Sequence, residues 1–544
     1  MTIVKPINSN TMRHVNLKLF ALGLVLAIAG TVKAADSDLA KFFKAKPTEG
    51  KLSIDKVYSV YLRNSGAIMN KNQIKGYFLL YQSDKIDRHT NEYTLQILDE
   101  NLNKVKDIKF EDSKSISLLE SAYNGSSISF LFKNEDQKTL DMKIYDFDGK
   151  LKYTYSRDFD RRTDDLMKQY VTMRTDEGTN RNVFDIGDEG YASVLPLRDG
   201  KQRTYELDYC SSVSKKQFTY TPEDAEKFAV AEVLGSTDSL VLLDVLKFTH
   251  AGKDATSHLV GINIYTHKKQ FDVATDEDKA PFTPMAVTPL DGTNDLLVMG
   301  SYFESGANVM KDASKGLAIY EITSNGKIVN KTLNSWDGDF SKYLTISDKG
   351  RIDNVGYMYI HKIIHSADGK FFVAGEGYKR TASAMGIATT VLSGGRAYNG
   401  VTKMTITDMV VMQFDNRFKL TGATIYDKPN SSALDMTGMA DMNSQHMIAM
   451  FLKSMGCFDY DFTTGDEDYS NFSICYSDWE RTGDFKGKTF TSIHYNGKKF
   501  NVDKLPLKSK ASMLKVFPGK PGSVMIMEYF KKDKRLDFRL EKLG

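Results

Sequence analysis

Apolar positions along this chain fall in short runs, each ending in a polar turn with Gly or Asn and resuming in a second run. One copy reads Tyr93-Thr94-Leu95-Gln96-Ile97-Leu98 before Asp99-Glu100-Asn101, with Lys104-Val105-Lys106-Asp107-Ile108 after it. A second reads Met142-Lys143-Ile144-Tyr145 before Asp146-Phe147-Asp148-Gly149 and Leu151-Lys152-Tyr153-Thr154-Tyr155. Leu317 to Ile322 with Asn325-Gly326, and Met409 to Phe414 with Asp415-Asn416, repeat the scheme. Self-similarity at a period of roughly 50 residues is the mark of a propeller or array. The runs favour aromatic and β-branched residues, which suit sheets, and helix-period patterns are scarce. The pattern predicts an all-β protein, a β-propeller of seven or eight four-stranded blades, with eight favoured.

The first blade is expected to have strands near 58–62, 76–82, 93–98 and 105–110, and the second near 116–122, 127–132, 140–145 and 151–156. Between 158 and 181 the repeat lapses into a charged, helix-compatible stretch. Further blades are expected at 182–220, 227–272 and 285–334, a sixth from Tyr357, and a seventh from 434 to about 507. The last piece supplies only three strands, near 513–517, 524–529 and 536–540, so residues 50–54 are expected to complete it and close the ring. Closure of this kind removes an exposed edge. In the sixth unit Ser366-Ala367-Asp368-Gly369-Lys370 is a turn, because Asp bonds its own backbone and Gly supplies positive φ.

The N-terminus reads as a secretory signal at 1–34: Arg13 and Lys18, an apolar core from Leu19 to Gly30, and a small-x-small site at Val32-Lys33-Ala34. That apolar core is too short to span a bilayer of about 30 Å. Residues 35–49 are expected to be a linker and 50–544 a single propeller domain with an insertion at 379–406. The full chain has a formal charge of +3, and removing Lys5, Arg13, Lys18 and Lys33 with no acid leaves −1. A near-neutral chain with dispersed Lys and Arg argues against nucleic acid as a partner. No second long apolar stretch follows, so the expectation is a secreted or periplasmic protein with no transmembrane segment after cleavage.

The insertion is the largest departure from the repeat, rich in small, Thr and apolar residues. Lys379, Arg380, Met385, Ile387, Val391, Leu392 and Tyr398 are its candidate binding residues, on an apolar hairpin projecting to meet a partner. The competing reading folds it over a neighbouring blade. Cys457 and Cys475 flank a turn at 464–467, and pairing symmetric about Asp466 sets them opposite each other, within disulfide reach. Cys210 is left as a buried thiol.

No catalytic motif, phosphate loop or cofactor signature is found, and no catalytic residue is assigned. His361 and His365, four apart on a strand, would share a face about 13 Å apart, too far for one metal ion. Asp146 and Asp148, and Asp466, Glu467 and Asp468, are turn residues and lack the ligand spacing of a calcium loop. Asp158, Asp160, Asp164 and Asp165 could supply carboxylates for glycoside chemistry, although Arg157, Arg161 and Arg162 beside them equally suit a solvated ion-pair loop.

Phe372-Val373-Ala374-Gly375-Glu376-Gly377-Tyr378-Lys379, the insertion after it and Thr407-Asp408-Met409-Val410-Val411 resemble a family of exported Gram-negative bacterial proteins known only as a domain of unknown function. The resemblance implies a β-propeller-like fold and carries no catalytic residues. The functional expectation is a binding or scaffolding module for an envelope protein or glycan. The alternative is a carbohydrate-active hydrolase or lyase with carboxylates near the channel.

Overall fold

The computed structural model describes residues 50–543 except 71, 159–182, 200–201, 224–227, 250–253, 275–279, 291–292, 294, 383–401, 429–432, 436–443 and 483. The described strands form eight antiparallel sheets in sequence order, four-stranded except that the sixth gains a fifth strand. The sheets occupy 59–113, 116–158, 183–220, 229–273, 282–335, 357–426, 460–506 and 513–542, and are blades 1 to 8. Blade 8 takes its outermost strand from the other end of the chain. Lys51–Ile54 pairs with Arg535–Lys542, Leu52 opposite Phe538. The eight-bladed ring and its closing strand are as the strand arithmetic predicts.

The apolar runs have a packing reason. On the second strand of blade 5, Leu296 and Val298 face blade 4 while Leu297 and Met299 face blade 6. Blade 6 repeats this, with Val373 turned to blade 5 and Phe372 and Ala374 to blade 7. Both faces of the inner strands are buried, so they read as continuous runs, much as strands covered on both faces do. Each junction between neighbouring blades therefore holds its own apolar cluster, including the one that joins blade 8 to blade 1 through Phe517, Met527, Phe538, Tyr77 and Leu79. Outermost strands behave differently. Leu151–Asp158 is largely exposed, with Tyr155 its one buried side chain.

The turns follow local chemistry. Gly369 (φ 78°) closes the Ser366–Lys370 turn, where Ser366 N–H donates to Lys370 C=O at 3.0 Å. Gly149 (φ 79°) does the same in blade 2, where the Asp146 carboxylate accepts from Lys150 N–H at 2.8 Å. Asp466 likewise accepts from Asn471 N–H at 3.0 Å, so both acidic clusters serve turns.

An antiparallel meander puts the start of every first strand, the end of the second, the start of the third and the end of the fourth at one rim. That upper rim carries the departures from the repeat. Connections 303–315 and 336–356 emerge there, as does 427–459, which holds the helix α1 (Gln445–Ser454). Ala382 is paired directly with Thr402, so 383–401 also springs from it. The seventh blade begins at Tyr460 and not near 434, because Ala433–Asp435 adds to the third strand of blade 6 instead.

Removing Gly50–Ile54 should lower the urea midpoint and cause self-association on size-exclusion chromatography, since it leaves the last strand of blade 8 as a bare edge. An unchanged midpoint and a monomer peak would show that the ring closes without this pairing.

Candidate binding site between blades 6 and 7

Apolar packing between blades 6 and 7 stops short of the upper rim, where charged side chains replace it. Glu376 stands on the second strand of blade 6, two residues beyond Ala374 and on the same face. It is fully buried, and its Oε1 takes the ammonium of Lys428, which follows the outermost strand of that blade. Lys428 Nζ also lies 2.8 Å from Asp459 Oδ2, just ahead of blade 7. Backbone donors complete the set: Asp459 N–H reaches Glu376 Oε1 at 3.0 Å and Tyr460 N–H reaches Oε2 at 3.2 Å. Lys428 N–H donates to Asp408 Oδ1 at 2.9 Å, and its ammonium sits 5.5 Å from the Tyr476 ring centre.

His361 joins this set through a backbone irregularity. A bulge between Ile360 and Lys362 breaks the strand alternation, so His361 and His365 do not share a face as expected. His361 Nε2 meets Glu376 Oε2 at 2.9 Å and its ring stacks on Tyr460 at 4.6 Å. His365 instead stacks on Phe371, on the blade 5 side. Burial lowers the His361 pKa and outweighs the pull of Glu376, so the imidazole is neutral. In the tautomer this contact requires, its Nε2–H donates.

Burial opposes ionisation of Glu376, but Lys428 and His361 together hold its carboxyl well below the usual range. Burial likewise opposes the charge on Lys428, and Glu376 and Asp459 outweigh it. The group is a satisfied, buried ion cluster.

Asp478 is different. Along the second strand of blade 7, Tyr476, Asp478 and Glu480 project on one face toward blade 6. Glu480 is partnered, by Lys504 Nζ at 3.2 Å and Thr489 Oγ1 at 3.3 Å. Tyr476 lies under the Lys428 ammonium. Between them Asp478 is 3% exposed, and neither carboxylate oxygen has a hydrogen-bond partner among the described residues. Burial, with Asp459 adding to it, pushes its carboxyl up to about 6, and Lys428 and Lys504 only temper the rise. Buried polar groups are nearly always paired, so one that is not points to strain or function. On the opposite face Asp461, also raised to about 6 by burial, accepts from Ser477 Oγ at 2.5 Å.

The helix braces the blade 6 side of this junction. Ser444 caps it, accepting from Met447 N–H at 3.3 Å, while Ile448, Ala449 and Leu452 pack on Tyr359, Tyr378 and Phe458. His446 Nε2 reaches Asp244 of blade 4 at 2.7 Å, Lys453 pairs with Glu232, and Ser444 Oγ–H donates to Val309 C=O at 3.1 Å. Burial works against the charge on His446, yet Asp244 raises its pKa.

Of the residues expected to bind, Lys379 and Arg380 lie at the upper end of the second strand of blade 6, half-buried and exposed respectively. Met385, Ile387, Val391, Leu392 and Tyr398 lie outside the described residues, as do Asp160, Asp164 and Asp165. The expected Cys457–Cys475 pairing is not formed: Phe462 stands opposite Cys475 and all three cysteines are free thiols. The hairpin turn is centred between Asp468 and Tyr469 and not on Asp466, since Gly465 pairs with Phe472, and Cys457 falls before the strand begins, turned toward the helix. Cys210 is buried in the junction of blades 2 and 3. Among the described residues no group of three or more His, Cys, Asp or Glu could hold a metal ion, and no helix is long and apolar enough to cross a membrane.

A family model described as a family of unknown function (DUF6770) matches residues 35–544. The chain belongs to this family. No curated protein matches it. Among solved structures, the WD40 domain of SCAP from fission yeast aligns with 8% identity and a TM-score of 0.38, over 92% of this chain and 97% of that one. Prolyl oligopeptidase B from Galerina marginata gives 8% and 0.37, over 92% of this chain and 59% of that one. At these values neither bears on the chemistry of this DUF6770 protein.

Glu376, Lys428, Asp459 and Asp478 were not singled out by motif. A lone acid inside the apolar run 371–378 is the one signal that marks Glu376.

Lys428→Met should cost about 3–5 kcal/mol in urea unfolding, because it strands two buried carboxylates. A loss under about 1 kcal/mol would mean that water reaches them. Asp478→Asn should have a pH-dependent effect. The folded-state pKa lies above the unfolded value, so the wild type loses stability as pH rises from about 4 through about 6. The variant should therefore match the wild type at pH 4 and exceed it by about 1–2 kcal/mol at pH 7.5. Equal stability at both pH values would contradict the burial of an unpaired carboxyl.

Proposed function

We propose that this protein is an exported binding module that captures an envelope protein or glycan on the upper rim over blades 6 and 7. The observation that carries the reading is the Asp478 carboxyl, enclosed and without a partner among the described residues, beside a cluster whose other members are satisfied. A group held at a cost to stability has a reason in binding or chemistry. The grouping of departures from the repeat at this rim supports the same reading. The N-terminal residues outside the described part support export through their charge and apolar pattern. Rigid repeats that present irregular loops at one rim are a common arrangement for binding surfaces.

A second reading, a carbohydrate-active hydrolase or lyase, draws on one observation. Asp478 retains its proton to about pH 6 while nearby Glu376 is held ionised, and acid–base pairs show such a separation. Glu376 is fully enclosed by Lys428, His361 and backbone donors, which leaves it no lone pair for a substrate and favours binding over turnover.

Replacing 383–401 by Asn-Gly between the paired Ala382 and Thr402 gives a two-residue hairpin turn. This variant and Asp478→Asn should each lose capture of envelope material by the purified protein, with Tm values no lower than that of the wild type. Capture equal to wild type by both variants would overturn the reading. Turnover of polysaccharide that Asp478→Asn abolishes would replace it with the enzyme.

A further inference from the structure

Resting on that reading, we propose that the upper end of the junction between blades 6 and 7 takes the guanidinium of an arginine side chain from a polypeptide partner, with Asp478 as its receptor. The row Tyr476, Asp478, Glu480 runs along one face of a strand, adjacent members roughly 6–7 Å apart. The flanking members are each matched to a cation: Lys428 over the Tyr476 ring and Lys504 on Glu480. The middle one has none. Lys428, desolvated between Glu376 and Asp459, shows how this junction holds a cation away from water.

Charge favours the same ligand. Four carboxyl groups, from Glu376, Asp459, Asp478 and Glu480, face two ammonium groups, from Lys428 and Lys504, and His361 is neutral. A cationic group corrects that surplus, and a neutral sugar hydroxyl does not. Both Asp478 oxygens are unpaired among the described residues, which matches the two parallel N–H donors of a guanidinium better than the single point of an ammonium. A metal ion suits the junction less, because Glu376 and Asp459 already spend their oxygens on Lys428, His361 and backbone donors.

Entry requires a rim side chain to move, since the Asp478 oxygens are covered. Lys504, whose ammonium rests on Glu480 and whose side chain is 38% exposed, is a rim cation whose charge acts on Asp478. It is also the guanidinium's competitor for negative charge.

The test uses the full mature chain and the peptide acetyl-Gly-Gly-Arg-Gly-Gly-amide, its citrulline counterpart and neutral chitotetraose, read by ligand-observed NMR and titration. The arginine peptide should bind wild type at least tenfold more tightly than it binds Asp478→Asn, and more tightly still to Lys504→Met, while citrulline should bind tenfold more weakly or not at all. A gain in Lys504→Met cannot come from misfolding, so the two variants guard each other. Equal binding of the arginine and citrulline peptides, or arginine binding unmoved by Asp478→Asn, overturns the proposal. Asp478-dependent binding of chitotetraose without the arginine peptide overturns it too, while leaving the binding-module reading intact. That reading fails separately, in the envelope-capture experiment.

Discussion

Most inner strands of this protein are buried on both faces by apolar side chains, and that constraint dictates the rest. A sheet with two apolar faces needs a neighbour on each side, and the arrangement that gives every sheet two neighbours is a closed ring. Phe372 and Val373, adjacent in sequence, are buried in different junctions and illustrate the demand. The ring closes because Lys51–Ile54 supplies the strand that the C-terminal sheet lacks. With the core spent on blade-to-blade contact, variation is confined to the rims, and here the upper rim receives nearly all of it.

The most deeply buried ion pair among the described residues, Lys428 with Glu376, breaks the apolar rule at one junction. Between blades 6 and 7, Glu376, Lys428, Asp459 and His361 occupy buried positions that apolar side chains fill elsewhere. Such a cluster adds little net stability over an apolar replacement, although removing a single member is costly. Its use in physical terms is to organise: it fixes the end of blade 6 against the start of blade 7 and sets a strongly polar field around Asp478. The helix reinforces this by tying the same region to blade 4 through His446 and Lys453.

The ring was legible in the sequence because its determinants are local. Turn chemistry at Asp146 to Gly149 and Ser366 to Lys370, and the count of strands at the C-terminus, need no tertiary knowledge. The helix was missed because it is short, although Ser444 followed by Ile448, Ala449 and Leu452 carries a cap and a helical spacing. The Cys457–Cys475 register failed because the hairpin turns between Gly465 and Phe472 and not about Asp466, and the exact centre of a turn leaves no reliable trace in one sequence. A bulge turned His361 into the cluster, against the strict alternation of a regular strand. Lys428 was not legible at all, since only the fold brings the chain after an outermost strand onto the second strand of the same blade.

The central claim is that Asp478 lies enclosed and unmatched in the unliganded protein. The most direct measurement is the pH titration of its carboxyl carbon by NMR in protein labelled with 13C at aspartate Cγ, assigned by difference from Asp478→Asn. The account predicts a midpoint of about 6. A midpoint near 4 or below, the range of a solvated or hydrogen-bonded carboxylate, would contradict it.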